Sequence, residues 1–368
     1  LSKITSIATG VPKYKHPQKE LFSFADSVYS ETEADSRKLG FLYRQSGIEY
    51  RYSIIPDYTS KEDERIFFPK NDSLEPVPDI EERMKLFNEE APSLSETVIL
   101  DCIKGKIDKN EITHLITVSC TGLSAPGLDL QLLERLELQP NVIRTSVNFM
   151  GCYAAIHALK MADAFCKSSA NANIVIVCTE FCTLHFQKGI TIDNLTSSLL
   201  FGDGCAAMLI QDDDAGKGLR LQSFFSEVSL KGKTDMAWGL SSTGFLMTLS
   251  SYVPDLIKES FRQLFNKALA HAGLIKEHID YWCIHPGGKK ILESISESLH
   301  LKKEDLQYSY DILRDYGNMS SPTIIFVLKK MLDELREKTT TINDKPTTIF
   351  GAAFGPGLTM ETFIAQYD

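Results

Sequence analysis

Short apolar, β-branched runs that fail to alternate with polar residues constrain this chain more than any other feature. Short apolar, β-branched runs recur at residues 4–8, 114–119, 173–178, 206–210, 281–284, 347–350 and 362–365, and several of them are continuous in this way. A strand wetted on one face alternates apolar with polar, so an unbroken apolar run needs apolar neighbours on both faces. Between the runs lie helical stripes. Ala155, Leu159, Ala162 and Cys166 share one face, and Ile324, Leu328, Met331 and Leu335 repeat the same spacing. Doubly covered strands alternating with one-sided helices predict an α/β fold, and 368 residues give room for two or three folding units.

The two halves also resemble each other. In the first, the run at 114–119 precedes a Gly151-Cys152 turn, an apolar helix and the run at 173–178. In the second, the run at 281–284 precedes Gly317-Asn318, another apolar helix and the run at 347–350. An internal duplication of this kind brings two helix N-termini towards a common centre, with Cys152 at one and Asn318 beside the other. The acidic, glycine-containing stretch at 211–218 places the seam, dividing the chain into residues 1–213 and 214–368. Residues 56–92 are dense in charge and carry five prolines, which predicts surface loops with one short helix around 81–90.

Charge and cysteine usage exclude several function classes. With 39 basic and 49 acidic residues the net charge is −10, which disfavours nucleic acid and anionic membranes as general partners and leaves only a local basic patch for an anionic ligand. The eight cysteines form no CxxC pair, and the histidines form no metal-ligand spacing, so neither a disulfide framework nor a metal site is expected. Gly10 and Pro12 interrupt the N-terminus before a signal-like apolar stretch develops, and no run approaches 18 apolar residues. These features predict a cytoplasmic protein with reduced thiols and no membrane insertion.

Cys152 follows a glycine at the mouth of a predicted helix, where unpaired N–H groups would lower a thiol's pKa. His285 ends the run at 281–284 and enters Pro286-Gly287-Gly288, at the strand end where open α/β sheets place their sites. Asn318 suits a helix cap, or a second N–H donor beside His285. Cys, His and Asn in this order permit two chemistries. A papain-like hydrolase matches the Cys-to-His separation but not the local sequence around the cysteine. In a decarboxylating condensation, Cys152 would carry an acyl thioester while His285 and Asn318 stabilise the enolate of a malonyl unit.

At these residues the chain resembles the type III polyketide synthases, the chalcone and stilbene synthase family, within the thiolase-like fold. The matching segments are Gly151-Cys152, Leu200-Phe-Gly-Asp-Gly204, Ile284-His-Pro-Gly-Gly288, Tyr316-Gly-Asn-Met-Ser-Ser321 and Phe354-Gly-Pro-Gly-Leu-Thr359. The resemblance implies two pseudo-duplicated α/β halves in α-β-α-β-α layers and a homodimer. It makes Cys152 the acylated nucleophile, and His285 and Asn318 the decarboxylation pair. Acyl-CoA and malonyl-CoA are the implied substrates, with no resident cofactor or metal. Phe201 is implied as one aromatic gatekeeper of the CoA tunnel, whereas the second gatekeeper position holds Met247. Cys182, His185, Ser197, Trp238 and Ser320 align with cavity-lining positions, and Trp238 stands where the plant enzymes have glycine, which would shorten or redirect the cavity. The Gly355-Pro356 turn would build a second oxyanion hole with the Cys152 backbone N–H. Lys38, Arg44 and Lys290 are the candidate CoA contacts, with Phe41 and Gln45 at two further positions where the family is basic. A ketoacyl-ACP synthase III performing one carrier-bound condensation, and a non-catalytic thiolase-like partner subunit, are the competing readings.

Overall fold

A computed structural model describes residues 2–338 and 346–367. The N-terminal half runs through β1 (Ser2–Gly10), β2 (Tyr14–Pro17), α1 (Gln18–Tyr29), α2 (Glu33–Gln45), β3 (Tyr50–Ser53), α3 (Ile80–Ile103), β4 (His114–Ser119) and α4 (Leu128–Arg135). It continues through β5 (Ile143–Asn148), α5 (Ala154–Ser168), β6 (Ile174–Phe181), α6 (Ile192–Leu200) and β7 (Asp203–Asp212). A turn leads to β8 (Leu219–Val228), the hairpin β9 (Met236–Ser241) and β10 (Gly244–Leu249), α7 (Val253–Ala272), β11 (Tyr281–Ile284) and α8 (Lys289–Leu299). The remaining elements are α9 (Gln307–Tyr316), α10 (Pro322–Lys338), β12 (Thr347–Gly355) and β13 (Thr359–Tyr367).

Nine strands form one sheet in the order β11-β12-β13-β8-β1-β7-β6-β4-β5. Two Cα pairs, Lys3 with Arg220 and Ile4 with Leu219, join its halves between β1 and β8. Outwards from that seam, β1-β7-β6-β4 on one side matches β8-β13-β12-β11 on the other. Each half pairs its last two strands in parallel, β6 with β4 and β12 with β11. The resemblance between the halves is therefore a repeated topology, and β5 extends only the first.

The unbroken apolar runs have a direct physical cause. Along β4, β6 and β7, alternate side chains enter two different cores. Ile116, Val118, Ile176 and Met208 meet α5 and α10 between the half-sheets, whereas Leu115, Val175, Val177 and Leu209 join the outer core with α3. Helices α7 and α8 supply the outer layer of the second half. The order is thus α3, first half-sheet, α5 with α10, second half-sheet, α7 with α8, the thiolase-like layering. Small residues on α5 (Ala154, Ala155, Ala158, Ala162) are fully buried and admit this central packing.

One expectation needs correction. Residues 80–103 form a single helix of 24 residues passing through buried Pro92, in place of a short helix around 81–90. Asp79 and Glu82 close a capping box at its start, and Phe87, Ala91, Val98 and Ile99 seal it to the sheet, which offsets the hydrogen bond that proline removes.

Candidate active site

Cys152 is placed by a tight turn after β5. Phe149 and Gly151 both have positive φ (60° and 79°), and a Cβ on Gly151 would stand 2.3 Å from Pro356 Cδ. Glycine alone permits that approach. Gly151 N–H donates to Cys120 Sγ (3.1 Å), and α5 opens two residues after Cys152, with Tyr153 as its N-cap. His285 directly follows β11, its N–H continuing the ladder to the Ala352 carbonyl (2.9 Å). Asn318 lies between α9 and α10 after Gly317, whose positive φ (68°) fits it beneath the Arg51 side chain.

These three side chains come from separate stretches and line one cavity of about 670 Å³, counted with its open mouth. Asn318 Oδ1 is 3.9 Å from Cys152 Sγ and accepts the Ser320 N–H (2.8 Å), while Asn318 Nδ2 donates to the Gly287 carbonyl (3.2 Å). Those two bonds fix the amide orientation and leave the second Nδ2 hydrogen for a ligand. Both ring nitrogens of buried His285 lack a protein partner.

The thiol does not follow the helix-terminus expectation. Cys152 is half-buried and lines the cavity, and burial pushes its thiol up to about 12, opposed by hydrogen bonds from Ser320 and Asn318. The cause is that the residue precedes the first helical turn and is surrounded by protein. Burial also lowers His285 to about 3. A neutral thiol and a neutral imidazole therefore line the same cavity at pH 7.

Around this centre the same cavity gathers Phe201, Cys182, His185, Trp238, Met247, Ser320, Gly355 and Pro356. Trp238 and Met247 are directly opposite on the β9–β10 hairpin. The indole stacks on His185 (centroids 5.1 Å apart, planes at 26°) and on Phe245 (5.0 Å, 25°). Ser197 is the exception among the aligned lining residues. It sits on α6 in an adjoining cavity, where its hydroxyl contacts Met247 Sδ (3.4 Å). The Gly355-Pro356 turn is pressed onto the Cys152 segment, since a Cβ on Gly355 would stand 2.5 Å from the Tyr153 ring. Lys38 and Arg44 are exposed on α2, and Lys290 is exposed at the start of α8. Arg44 lines the groove between α1 and α2 with Phe22 and Gly40; six positions apart on a helix, it does not share the face of Lys38. The stem of Lys289, close to Gly47, brings α8 and the end of α2 together.

Several site residues escape the sequence reading. Glu180, fully buried at the end of β6, accepts the Cys120 N–H (2.9 and 3.0 Å) and the hydroxyls of Thr121 and Ser321 (both 3.2 Å). Burial pushes its carboxyl up to about 7. Thr121 Oγ1 also shares a hydrogen bond with His185 Nε2 (3.0 Å), its direction set by the histidine tautomer. The available signal was a lone acidic residue ending an otherwise apolar run. Arg51 is also buried. Its Nε donates to Gln18 Oε1 (2.9 Å) and its Nη1 to the Phe201 carbonyl (2.6 Å), while Gln18 Nε2 reaches the Leu199 carbonyl (2.9 Å). The segment so clamped holds Asn318 in turn, through Asn318 N–H to the Leu200 carbonyl (2.9 Å) and Gly202 N–H to the Asn318 carbonyl (3.0 Å).

Among the described residues no group of three His, Cys, Asp or Glu side chains could hold a metal ion, and no helix is long and apolar enough to cross a membrane. The family model for chalcone and stilbene synthases matches in both its parts, the N-terminal domain over residues 1–214 and the C-terminal domain over 221–367. "Alpha-pyrone synthesis polyketide synthase-like Pks18" of Mycobacterium tuberculosis is 31% identical over 364 residues, covering 97% of this chain and 89% of that protein. "Probable polyketide synthase 1" of Dictyostelium discoideum is 30% identical over 98% of this chain, which spans only 11% of that relative's length. Among solved structures, PKS-I from the brown alga Ectocarpus siliculosus superposes with a TM-score of 0.94 at 26% identity, covering 100% of this chain and 98% of that one. CsyB complexed with CoA-SH superposes with a TM-score of 0.86 at 25% identity, covering 100% of both chains.

Proposed function

The chain belongs to the chalcone and stilbene synthase family, the type III polyketide synthases, and from that premise we propose that it loads an acyl-CoA starter on Cys152 and extends it with malonyl-CoA. The observation that carries this reading is the convergence of Cys152, His285 and Asn318 on one cavity, with Asn318 within 3.9 Å of the thiol. His285 takes the thiol proton as Cys152 attacks the acyl carbonyl, and the proton leaves with the CoA sulfur. Malonyl-CoA then loses carbon dioxide while His285 and the free Nδ2 hydrogen of Asn318 donate to the thioester oxygen, stabilising the enolate. The enolate carbon attacks the acyl-Cys152 carbonyl, and the Cys152 thiolate leaves. The carbonyl oxygen of that step falls to the Cys152 N–H and the Gly355-Pro356 turn.

In this scheme Phe201 and Met247 form the tunnel mouth, and Lys38 with Lys290 binds the anionic end of CoA, with Lys289 as a further contact. The CoA complex of CsyB supports that ligand, and the name of Pks18 supports a pyrone among the pyrone, resorcinol and phloroglucinol closures. No prosthetic group or metal enters the scheme. The cytoplasm suits the eight free thiols. The exposed outer edge of β5 supports the homodimer, since an unpaired strand edge is a template for a second copy.

Mass spectrometry of the protein and its products tests the reading. Wild type incubated with acyl-CoA and malonyl-CoA gains acyl mass on Cys152 and releases cyclised product without a carrier protein; Cys152→Ala does neither. Equal behaviour of the two proteins removes the nucleophile assignment.

A further inference from the structure

Beside the Cys152 cavity runs a chain of proton-bearing groups to which the condensation steps give no role. It leads from Glu180 through Thr121 to His185. Thr121 Oγ1 is 3.2 Å from Glu180 Oε2 and 3.0 Å from His185 Nε2. The other ring nitrogen, Nδ1, has no protein partner, although His185 is only 8% exposed and lines the cavity that holds Cys152. Stacking on Trp238 and Phe245 holds the ring in place.

Thr121 has one hydroxyl proton and cannot give it to both neighbours. With Glu180 ionised, Thr121 donates to the carboxylate, His185 Nε2–H donates to Thr121, and Nδ1 is a bare lone pair. With Glu180 protonated, the carboxyl donates to Thr121, Thr121 donates to Nε2, and Nδ1 carries the ring hydrogen. The two states differ by one step of each proton along the chain. A proton presented to Nδ1 therefore reaches Glu180 without the imidazole ever holding two. Burial holds His185 down at about 3, too low to store a proton, whereas Glu180, at about 7, stores one near neutral pH.

The surroundings leave that titration to Glu180. Cys120, Cys152, Cys178 and Cys182 all feel its charge, and burial holds each thiol above its ordinary value, so they stay uncharged where the carboxyl titrates. His285 in the same cavity is neutral there as well. Arg83 on α3 is the cation facing His185, and its charge further opposes an imidazolium. Its Nη1 is bonded to the Leu184 carbonyl. Asp203, also raised to about 7, accepts its hydrogen bonds from Thr183 and Ile54.

We propose that Glu180, Thr121 and His185 form a proton relay for ring closure, in which His185 Nδ1 takes the enol proton of the extended chain. This rests on the function proposed above and commits it to a lactone product. The enol oxygen attacks the thioester carbonyl of its own chain; the C–O bond forms and the C–S bond breaks. The enol proton passes to Nδ1, the Nε2 proton to Thr121 and the Thr121 proton to Glu180. The relay then runs backwards, Nδ1–H protonates the departing thiolate, and Glu180 is ionised again, so lactone and thiol are the products. His185 is the catalytic residue of this step, and Thr121 and Glu180 act through it.

The test follows the ratio of lactone to chain released open, by liquid chromatography and mass spectrometry, with hexanoyl-CoA and malonyl-CoA from about pH 5.5 to 8.5. The relay needs Glu180 ionised, so in wild type the ratio is expected to rise as pH passes up through about 7 and then to level. Thr121→Val removes the hydroxyl at nearly constant volume, and His185→Phe keeps a ring between Trp238 and Phe245. Each is expected to lose the slope and to lower the ratio at least tenfold at the upper end, and Thr121→Ser to restore both. Nitrogen-15 spectra of histidine-labelled protein, with His185 assigned by difference against His185→Phe, are expected to show its tautomer changing over the same range in wild type and not in Thr121→Val. A wild-type slope kept by either variant, a loss that Thr121→Ser does not recover, a tautomer that stays fixed, or the absence of lactone overturns the relay and leaves the synthase reading standing. No acyl mass on Cys152 overturns both.

Discussion

Burial, more than any charged neighbour, sets ionisation at the level of single residues in this site. Glu180 shows the consequence. Its folded pKa, about 7, lies above its ordinary value of 4.5, so its stabilising contribution is complete below about pH 4.5 and is lost as pH rises through 7. Glu180→Gln cannot ionise. The melting temperature of the variant relative to wild type is therefore expected to climb between pH 5 and 8, while Asp203, also raised to about 7 by burial, titrates alike in both proteins and cancels. A flat difference over that range would refute a titrating carboxyl at this position. The same physics explains what was legible. Cys152, His285 and Asn318 announce themselves through glycine-flanked turns, which are visible in a sequence. Glu180, Thr121, Cys120 and Arg51 matter because of what surrounds them, and no local pattern encodes the partners that β6, β4 and β3 bring together.

At the scale of elements, the runs at 114–119 and 281–284 coincide with β4 and β11 because those strands are covered on both faces and stop where the cover stops. The β9–β10 hairpin was not read, since its half-exposed residues follow neither a continuous nor a strictly alternating pattern. It roofs the cavity, and its cross-strand pair makes Trp238→Gly informative. Removing the indole strips both His185 and Phe245 of a stacked neighbour and enlarges the space above Cys152, so products carrying additional malonyl units are expected by liquid chromatography and mass spectrometry. An unchanged product length and starter range would reduce Trp238 to a packing residue. The clamp between β3 and the end of α6 yields a second prediction. Arg51→Met removes charge-assisted bonds of about 1.5–3 kcal/mol and releases the segment that holds Asn318. Malonyl-CoA decarboxylation is expected to fall about tenfold or more in kcat with KM nearly constant, and Arg51→Lys to recover part of it. A rise in KM at constant kcat would show that Arg51 does not act through Asn318.

For the molecule as a whole, the duplication gives two topologically equivalent halves that share one interior. The core around α5 and α10 draws Ile116 and Ile176 from the first half and Cys283, Ile349 and Phe363 from the second. Residues 1–213 expressed alone would expose the inner face of β1, β7, β6 and β4. We expect such a fragment to lack a cooperative thermal transition and to regain one on co-expression with residues 214–368; a sharp transition for the fragment alone would make the halves independent folding units. The repeat was legible because both halves keep the same succession of runs and helices, whereas the two-residue join between β1 and β8 has no sequence signature. The hairpin carrying Trp238 and Met247 belongs to a separate two-stranded sheet, outside the nine-stranded frame that fixes Cys152, His285 and Asn318. Natural selection can therefore rewrite the contour of the Cys152 cavity one hairpin residue at a time while Cys152, His285 and Asn318 keep their places, so lineages descended from such a scaffold can diversify what the cavity holds without first surrendering the chemistry proposed for it.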